Sequence, residues 1–331
     1  MWVTSSPTDA LIPTAIALGN FDGVHLGHQQ VIRPILQHCN QEVAKLSYSL
    51  PGVDIRASTP NLQRDKHIYS TVVTFNPHPQ EFFSKKKRML LTPVDEKVQQ
   101  LEALGVEQLV RLPFTWELAA LSPQEFVEKI LVQQLCCQEI SVGENFCFGK
   151  QRSGTAKDLK ELAANFNIPV TIVPIHTCAG DRISSSAIRL ALEHGDLHQA
   201  NQLLGRPYTL TGTVVQGQQL GRTIGFPTAN LEIPPEKFVP RQGVYAVKVD
   251  VLSTAYDGVM NIGNRPTVNG THRSVEVYLF DYSGDLYGQT LTVQLEKFLR
   301  PEQKFASLDQ LKAQIQFDCT AAKQALRGNT E

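Results

Sequence analysis

Gly19-Asn20-Phe21-Asp22-Gly23-Val24-His25-Leu26-Gly27-His28 follows a short apolar run, Ala15-Ile16-Ala17-Leu18. It leads into a helical pattern from about His25 to Asn40, with Val31, Ile32, Ile35 and Leu36 on one side. A buried strand that turns through glycines straight into a helix is the building unit of a doubly wound α/β sheet. In such sheets ligands bind beyond the carboxyl ends of the strands. A helix N-terminus there offers unpaired N–H groups and about half a positive charge. The glycines let a phosphate approach the backbone, so Gly19, Phe21, Asp22 and Gly23 are candidate nucleotide-binding residues. His25 and His28, three apart, project from one face of the first turn and would donate to a polyphosphate as charge develops on it. The same two residues also fit a plainly capped helix with two surface histidines. A zinc site would need more ligands than His78 supplies.

Working outward, the strand-then-helix alternation continues through residue 206. Thr71 to Phe75 is β-branched and strand-like. Thr92-Pro93 opens a helix lined by Val94, Val98, Leu101 and Leu104, and Gly105 stops it. Val106–Leu112, Glu139–Val142 and Pro169–Ile175 are further strand candidates. Ser122…Glu125 is a capping box before Phe126, Ile130 and Leu131, and Thr155–Phe166 has helical spacing. Adjacent Cys136 and Cys137 suggest helix packing; Trp2 and Trp116 could stack a ring, though core or surface roles are the first reading. Three more segments belong at the ligand edge of the sheet: Thr74-Phe75-Asn76-Pro77-His78-Pro79, Gly143 to Gly149 with Asn145, and Arg182 to Arg189. The last sets Ser185 and Ser186 at a helix start between two arginines, a second anion site. Each alone would pass for a loop with an N-cap; at successive strand ends they describe a nucleotide crevice.

The pattern changes after Arg206-Pro207. Thr209–Gln216, Val244–Val251, Gly258–Ile262, Ser274–Asp281 and Thr290–Phe298 alternate as strands, which predicts a small β-barrel. A final helix begins at Ser307 with a Ser307…Gln310 box. Between the two patterns, residues 187–206 form two short helical stretches ending at Gly195 and Gly205, a linker or a helical appendage of the first domain, which gives boundaries of 1–186, a helical linker 187–206, and 207–331. Residues 48–68 are a polar insertion. Gly217, Gly221 and Gly225 recur every fourth residue in a loop that runs into Pro227-Thr228-Ala229-Asn230. Thr228 and Asn230, two apart in extended chain, share a side and offer hard oxygens to a Mg²⁺ that also holds phosphate. Glu276, a carboxylate in the apolar run Val275-Glu276-Val277-Tyr278, is a candidate base for a substrate hydroxyl, or else a solvent-facing strand residue. No phosphate-binding loop with a terminal Lys-Ser/Thr occurs, so a kinase here must use another fold.

The chain of 331 residues holds 31 Lys+Arg against 32 Asp+Glu. Split at residue 206, 19 basic residues face 20 acidic ones before and 12 face 12 after. That balance argues against a nucleic-acid partner, and Lys85-Lys86-Lys87-Arg88 is read as solvated surface. No 18-residue apolar run exists, no basic residue precedes Arg33, and the six cysteines form no CxxC pair. The expectation is a cytoplasmic protein with reduced thiols and no membrane span.

The motifs of the first half closely resemble the adenylyltransferase domain of the bacterial bifunctional riboflavin kinase/FMN adenylyltransferases (FAD synthetases), which are nucleotidyltransferases with an HxGH motif, here His25-Leu26-Gly27-His28. The second half is similar to the same family's kinase barrel through Gly217–Asn230, Gly243-Val244-Tyr245-Ala246, Met260 to Thr267, Gly284 to Gly288 and Phe298-Leu299-Arg300. The resemblance runs from about residue 12 to 325. It implies a doubly wound domain, then a small barrel and a C-terminal helix. It also implies riboflavin, FMN and ATP as substrates, with Mg²⁺. By the family pattern, His25 and His28 stabilise the ATP phosphates. Asn145, Ser185 and Ser186 contact nucleotide, Arg182 and Arg189 meet phosphate, and Asn76, His78 and Arg300 belong to flavin binding. Thr228 and Asn230 position Mg²⁺–ATP under the Gly217–Gly225 loop, and Glu276 activates the riboflavin 5′-hydroxyl. Ser184-Ser185-Ser186 departs from the family's usual Ser-Ser-Thr but keeps the hydroxyls. Two rivals are a nucleotidyltransferase for another phosphate ester, with the barrel setting specificity, and a flavin-binding regulator without turnover.

Overall fold

The computed structural model describes residues 1–48, 67–178, 180–217, 220–252, 254–267 and 270–327. They divide into two units, Met1–Arg88 with Val94–Ile183, and Met89–Pro93 with Ser184–Glu331.

The first unit runs β1 (Trp2–Thr4), β2 (Thr14–Leu18), α1 (Leu26–Tyr48), β3 (Tyr69–Asn76), α2 (Pro79–Ser84), α3 (Val94–Ala103) and β4 (Gln108–Pro113). It continues through α4 (Trp116–Ala120), α5 (Pro123–Glu125), a π-helix over Phe126–Gln134, β5 (Cys137–Gly143), β6 (Cys147–Phe148) and β7 (Gly154–Thr155). It ends with α6 (Ala156–Ala164), β8 (Val170–Val173), β9 (Thr177–Cys178) and β10 (Asp181–Arg182). Six parallel strands form one sheet in the order β1-β4-β3-β2-β5-β8. Every residue of β2 is buried, because helices cover both faces. Ala15 and Ala17 meet Val31, Ile32 and Ile35 of α1 on one face. Ile16 and Leu18 join Phe126, Val127, Leu131 and Leu159 on the other. The chain leaves β2 toward β3 and β4 on one side and returns to β5 and β8 on the other. The switch point of the sheet therefore lies between β2 and β5, where Leu18 pairs with Val142.

Some expectations change here. The helix opened at Ser122 has its full capping box, with the Glu125 amide on Ser122 Oγ at 3.2 Å and the Ser122 amide on a Glu125 carboxylate oxygen at 3.0 Å. It then widens into π geometry, closed by the Leu135 amide on the Ile130 carbonyl. Cys136 sits in a left-handed turn (φ 45°) and Cys137 opens β5, so the pair ends a helix and begins a strand instead of packing within a helix.

The second unit contains α7 (Ser185–His194), α8 (Leu197–Leu204), β11 (Tyr208–Val215), α9 (Leu220–Thr223), β12 (Ala229–Glu232) and β13 (Gly243–Val251). They are followed by β14 (Thr254–Thr267), β15 (Gly270–Leu279), β16 (Thr290–Arg300) and α10 (Leu308–Arg327). Six antiparallel strands close a barrel in the order β11-β12-β15-β14-β13-β16. The sequence reading found five of them. The sixth, β12, is the four-residue stretch that carries Asn230. Residues 187–206 are packed in this unit instead of spanning a gap as a linker. Asn201 donates to the Leu295 carbonyl and accepts from the Tyr208 amide, while Leu197, Ala200, Leu203 and Leu204 are buried. Met89–Pro93 is also part of this unit: the Leu90 amide bonds the Glu236 carbonyl, and the buried Lys237 ammonium donates to the Leu91 carbonyl. The polar insertion 48–68 lies almost wholly outside the described residues.

Candidate active sites

The turn after β2 ends at the switch point. It is tightly specified: Gly19 N–H donates to the Val73 carbonyl, and the Asn20 carbonyl accepts from Thr74 Oγ1 (3.2 Å) and Lys97 Nζ (2.9 Å). Phe21 and Val24 have left-handed backbones (φ 49° and 42°), as does Gly23 (φ 92°). Asp22 is buried. His25 then occupies the N-cap position of α1. Its carbonyl accepts from the Gln29 amide, and its Nδ1 accepts from the His28 amide at 3.2 Å. With Nδ1 accepting, a neutral ring carries its proton on Nε2, as a donor toward a ligand. The His28 imidazole lies face to face on that of His25, with centroids 3.5 Å apart and planes 13° from parallel. Gly27 makes the stack possible, since a Cβ there would stand 3.2 Å from His25 Cε1 and Nδ1. Beyond β5, the Asn145 side-chain oxygen folds back over Gly143, beside Val31 of α1.

The other expected residues are distributed as follows. Asn76 ends β3. His78 caps α2, its Nδ1 accepting from the Gln80 amide at 3.1 Å. Arg182 lies in β10 of the first unit. Ser185, Ser186 and Arg189 belong to α7 of the second, behind the N-cap Ser184. Arg189 is held by the Ser185 and Met89 carbonyls.

Two features escaped the sequence reading, Lys97 and an aromatic cluster. Lys97, on α3, reaches back to the turn. Its ammonium is pushed below the usual lysine range by burial, against the opposing charge of Asp22 and with help from Arg111 of β4. Thr74 shares its acceptor. Beyond the ends of β3 and β4, Phe82, Phe83, Phe114 and Trp116 meet edge to face with centroids 4.9–5.8 Å apart, and Phe83 and Trp116 are 58% and 66% exposed. An exposed aromatic cluster of this kind is a platform for a flat ring. Of these four residues the sequence singles out only Trp116 as able to stack a ring; the adjacent Phe82-Phe83 pair is the other signal.

In the barrel, Asn230 of β12 stands directly opposite Glu276 of β15. Directly opposed residues share a face. Val275 and Val277 point into the core, so Asn230 and Glu276 lie on the outer wall. Thr228 Oγ1 is 3.5 Å from a Glu276 carboxylate oxygen, at the outer limit of a hydrogen bond. The glycine loop lies against this wall. A Cβ on Gly217 would fall 2.3 Å from the Asn230 amide nitrogen, and one on Gly221 would meet the Phe226 carbonyl and Thr228 Oγ1. Gly225 turns with φ 89°. Thr228 and Asn230 thus offer a hydroxyl and an amide oxygen in one place, beside the Glu276 carboxylate. This sparse oxygen set fits a Mg²⁺ whose other ligands are water and nucleotide phosphate. Arg300, expected against flavin, is clamped by the buried Asp318 of α10, Nε to Oδ1 at 2.9 Å and Nη2 to Oδ2 at 2.7 Å. It fastens the last strand of the barrel to the C-terminal helix.

Known proteins match both halves. A riboflavin kinase family model matches residues 204–326, and an FAD synthetase model matches residues 8–48 and 55–187. A bifunctional riboflavin kinase/FMN adenylyltransferase of Listeria monocytogenes is 38% identical over 93% of this chain and 90% of its own. Those of Bacillus subtilis and Escherichia coli K12 are 37% and 39% identical over 92% and 93% of this chain, and 90% and 91% of theirs. A solved structure described as a macrolide-efflux protein from Streptococcus pneumoniae superposes with a TM-score of 0.78 at 31% identity, covering 96% of each chain. Among the described residues no helix is long and apolar enough to cross a membrane. Similarity of this extent, carried by both halves in the same order, makes the chain a member of the bifunctional riboflavin kinase/FMN adenylyltransferase family.

Proposed function

We propose that this chain makes FMN from riboflavin and then FAD from FMN, each transfer belonging to one of its two units. One observation carries the reading. Each unit holds its own group of phosphate-directed residues: the stacked His25–His28 pair at the switch point of the sheet, and Thr228, Asn230 and Glu276 under the glycine loop.

In the barrel the Glu276 carboxylate takes the proton of the riboflavin 5′-hydroxyl. The hydroxyl oxygen bonds to the γ-phosphorus of ATP, and ADP leaves. Thr228 and Asn230 would hold Mg²⁺, which supplies charge neutralisation on the phosphates. Gly217, Gly221 and Gly225 let the loop lie close over the nucleotide. In the first unit an FMN phosphate oxygen bonds to the α-phosphorus of ATP and pyrophosphate leaves. His25 and His28 donate to the phosphates as charge builds on them, with the turn Gly19, Phe21, Asp22 and Gly23 and Asn145 cradling the nucleotide. Arg182, in the same unit, supplies a further phosphate contact. Asn76, His78 and the Phe82–Phe83–Phe114–Trp116 platform receive the flavin. A cytoplasmic setting, where ATP meets reduced thiols, fits the six unpaired cysteines.

The test is a time course with riboflavin, ATP and Mg²⁺. FMN should appear first and FAD later. His28→Ala should stop FMN→FAD while sparing riboflavin→FMN, and Glu276→Ala should do the reverse. Flavin bound without turnover would favour a regulator, and loss of both activities in either variant would remove the two-site assignment.

A further inference from the structure

We propose that Lys97 is a positioning residue for adenylyl transfer: by donating to the Asn20 carbonyl it holds the turn Gly19–Val24 in the form that stacks His25 on His28. The inference rests on assigning that transfer to the first unit. A lysine serving only a solvated helix face would keep its ammonium in water. Lys97 instead places Nζ 2.9 Å from a backbone carbonyl 77 residues away in the chain. That carbonyl already accepts from Thr74 Oγ1, so donors from α3 and β3 converge on one atom of the turn. The next residue, Phe21, has φ 49°, and Val24, just before His25, has φ 42°. Non-glycine residues persist in that region only where their surroundings over-determine the backbone. The charges around Lys97 are Asp22, within the turn and attractive, and Arg111, on β4 and repulsive. The Lys97–Asp22 attraction pulls on the same turn as the hydrogen bond. Because burial and Arg111 both disfavour the ammonium, this hold weakens as pH rises into the lysine range sooner than for an ordinary lysine.

The experiment uses the full chain carrying Lys97→Met or Lys97→Arg, with both activities measured across pH. Losing one charge-assisted hydrogen bond to the turn should lower kcat for FMN→FAD by about 10- to 100-fold in Lys97→Met. KM for FMN and riboflavin→FMN should stay near wild type. The wild-type rate should fall at alkaline pH, and Lys97→Arg should restore most of kcat and remove that fall, since a guanidinium does not titrate there. The imidazole Hε1 signals of His25 and His28 should move in Lys97→Met and stay in place in Lys160→Met, an exposed control lysine. An unchanged kcat in Lys97→Met, a change confined to KM, or an alkaline limb in Lys97→Arg identical to wild type would overturn the proposal. If Lys97→Met loses both activities, the pH profile of Lys97→Arg decides. A wild-type chain that makes no FAD from FMN would instead refute the functional assignment on which this rests.

Discussion

Substituting Gly27 by alanine separates the chemistry of the first unit from its stability. Gly27 is the second residue of α1 and carries an ordinary helical backbone. In the unfolded chain and in the helix alike, alanine is the better residue there, worth up to about 1 kcal/mol. The added methyl, however, would stand 3.2 Å from His25 Cε1 and Nδ1 and 3.7 Å from Ile183 Cγ2. The imidazole must yield by a few tenths of an ångström. It is held on its other sides by the His28 amide at 3.2 Å and the stacked His28 ring at 3.5 Å, so the displacement reaches both rings. Misplacing catalytic groups by up to an ångström costs about 100-fold, and a smaller shift is expected to cost about 10- to 100-fold. Gly27→Ala should therefore keep or slightly raise the melting temperature, leave riboflavin→FMN intact, and lose that factor in FMN→FAD. Thermal melting together with separate assays of the two activities reads all three. Full FAD formation in a folded Gly27→Ala chain would refute the reasoning that ties the glycine to the histidine stack.

Other consequences follow from individual contacts. Arg300→Met strands the buried Asp318 carboxylate and should destabilise the second unit by about 3–5 kcal/mol, seen as a lowered melting temperature; a raised KM for riboflavin with unchanged melting would return Arg300 to the flavin site. Gly217→Ala drives a methyl into the Asn230 amide, so riboflavin phosphorylation should fall at least about tenfold while FAD formation from FMN persists. Burial raises the Cys39 thiol to about 12 and pushes Cys137 up as well. At pH 8 neither should react with iodoacetamide until the chain is denatured, as peptide mapping would show.

Much of this was legible in the sequence because periodicity and glycine punctuation report what is buried. The apolar run of β2, the capped helices after Ser122 and Thr155, and the alternating strand β11 are long or strongly patterned. β1 and β12 were missed because three or four residues carry too little alternation to register. They become strands only because neighbours lend them hydrogen bonds, β4 to β1 and both β11 and β15 to β12. The helices after Ser184 looked like a linker because their apolar stripe does not say which sheet will cover it. At the sites, residues placed by the local chain were readable: the HxGH turn, and the Thr228–Asn230 spacing. Lys97 was not, because its partner comes from a distant turn, and a lysine on an amphipathic helix looks the same whether it faces water or a carbonyl. Arg300 is the converse case. Its neighbours in sequence suggested a ligand, while Asp318, on a different element, engages its guanidinium.

The central claim is that two separate sites act in succession, and mixing the two inactivated chains tests it most directly. His28→Ala chain retains the barrel and Glu276→Ala chain retains the first unit. With riboflavin, ATP and Mg²⁺, neither alone should make FAD, but an equimolar mixture should, after a lag while FMN passes through solution. A mixture that accumulates FMN without FAD, or forms neither, would contradict the account.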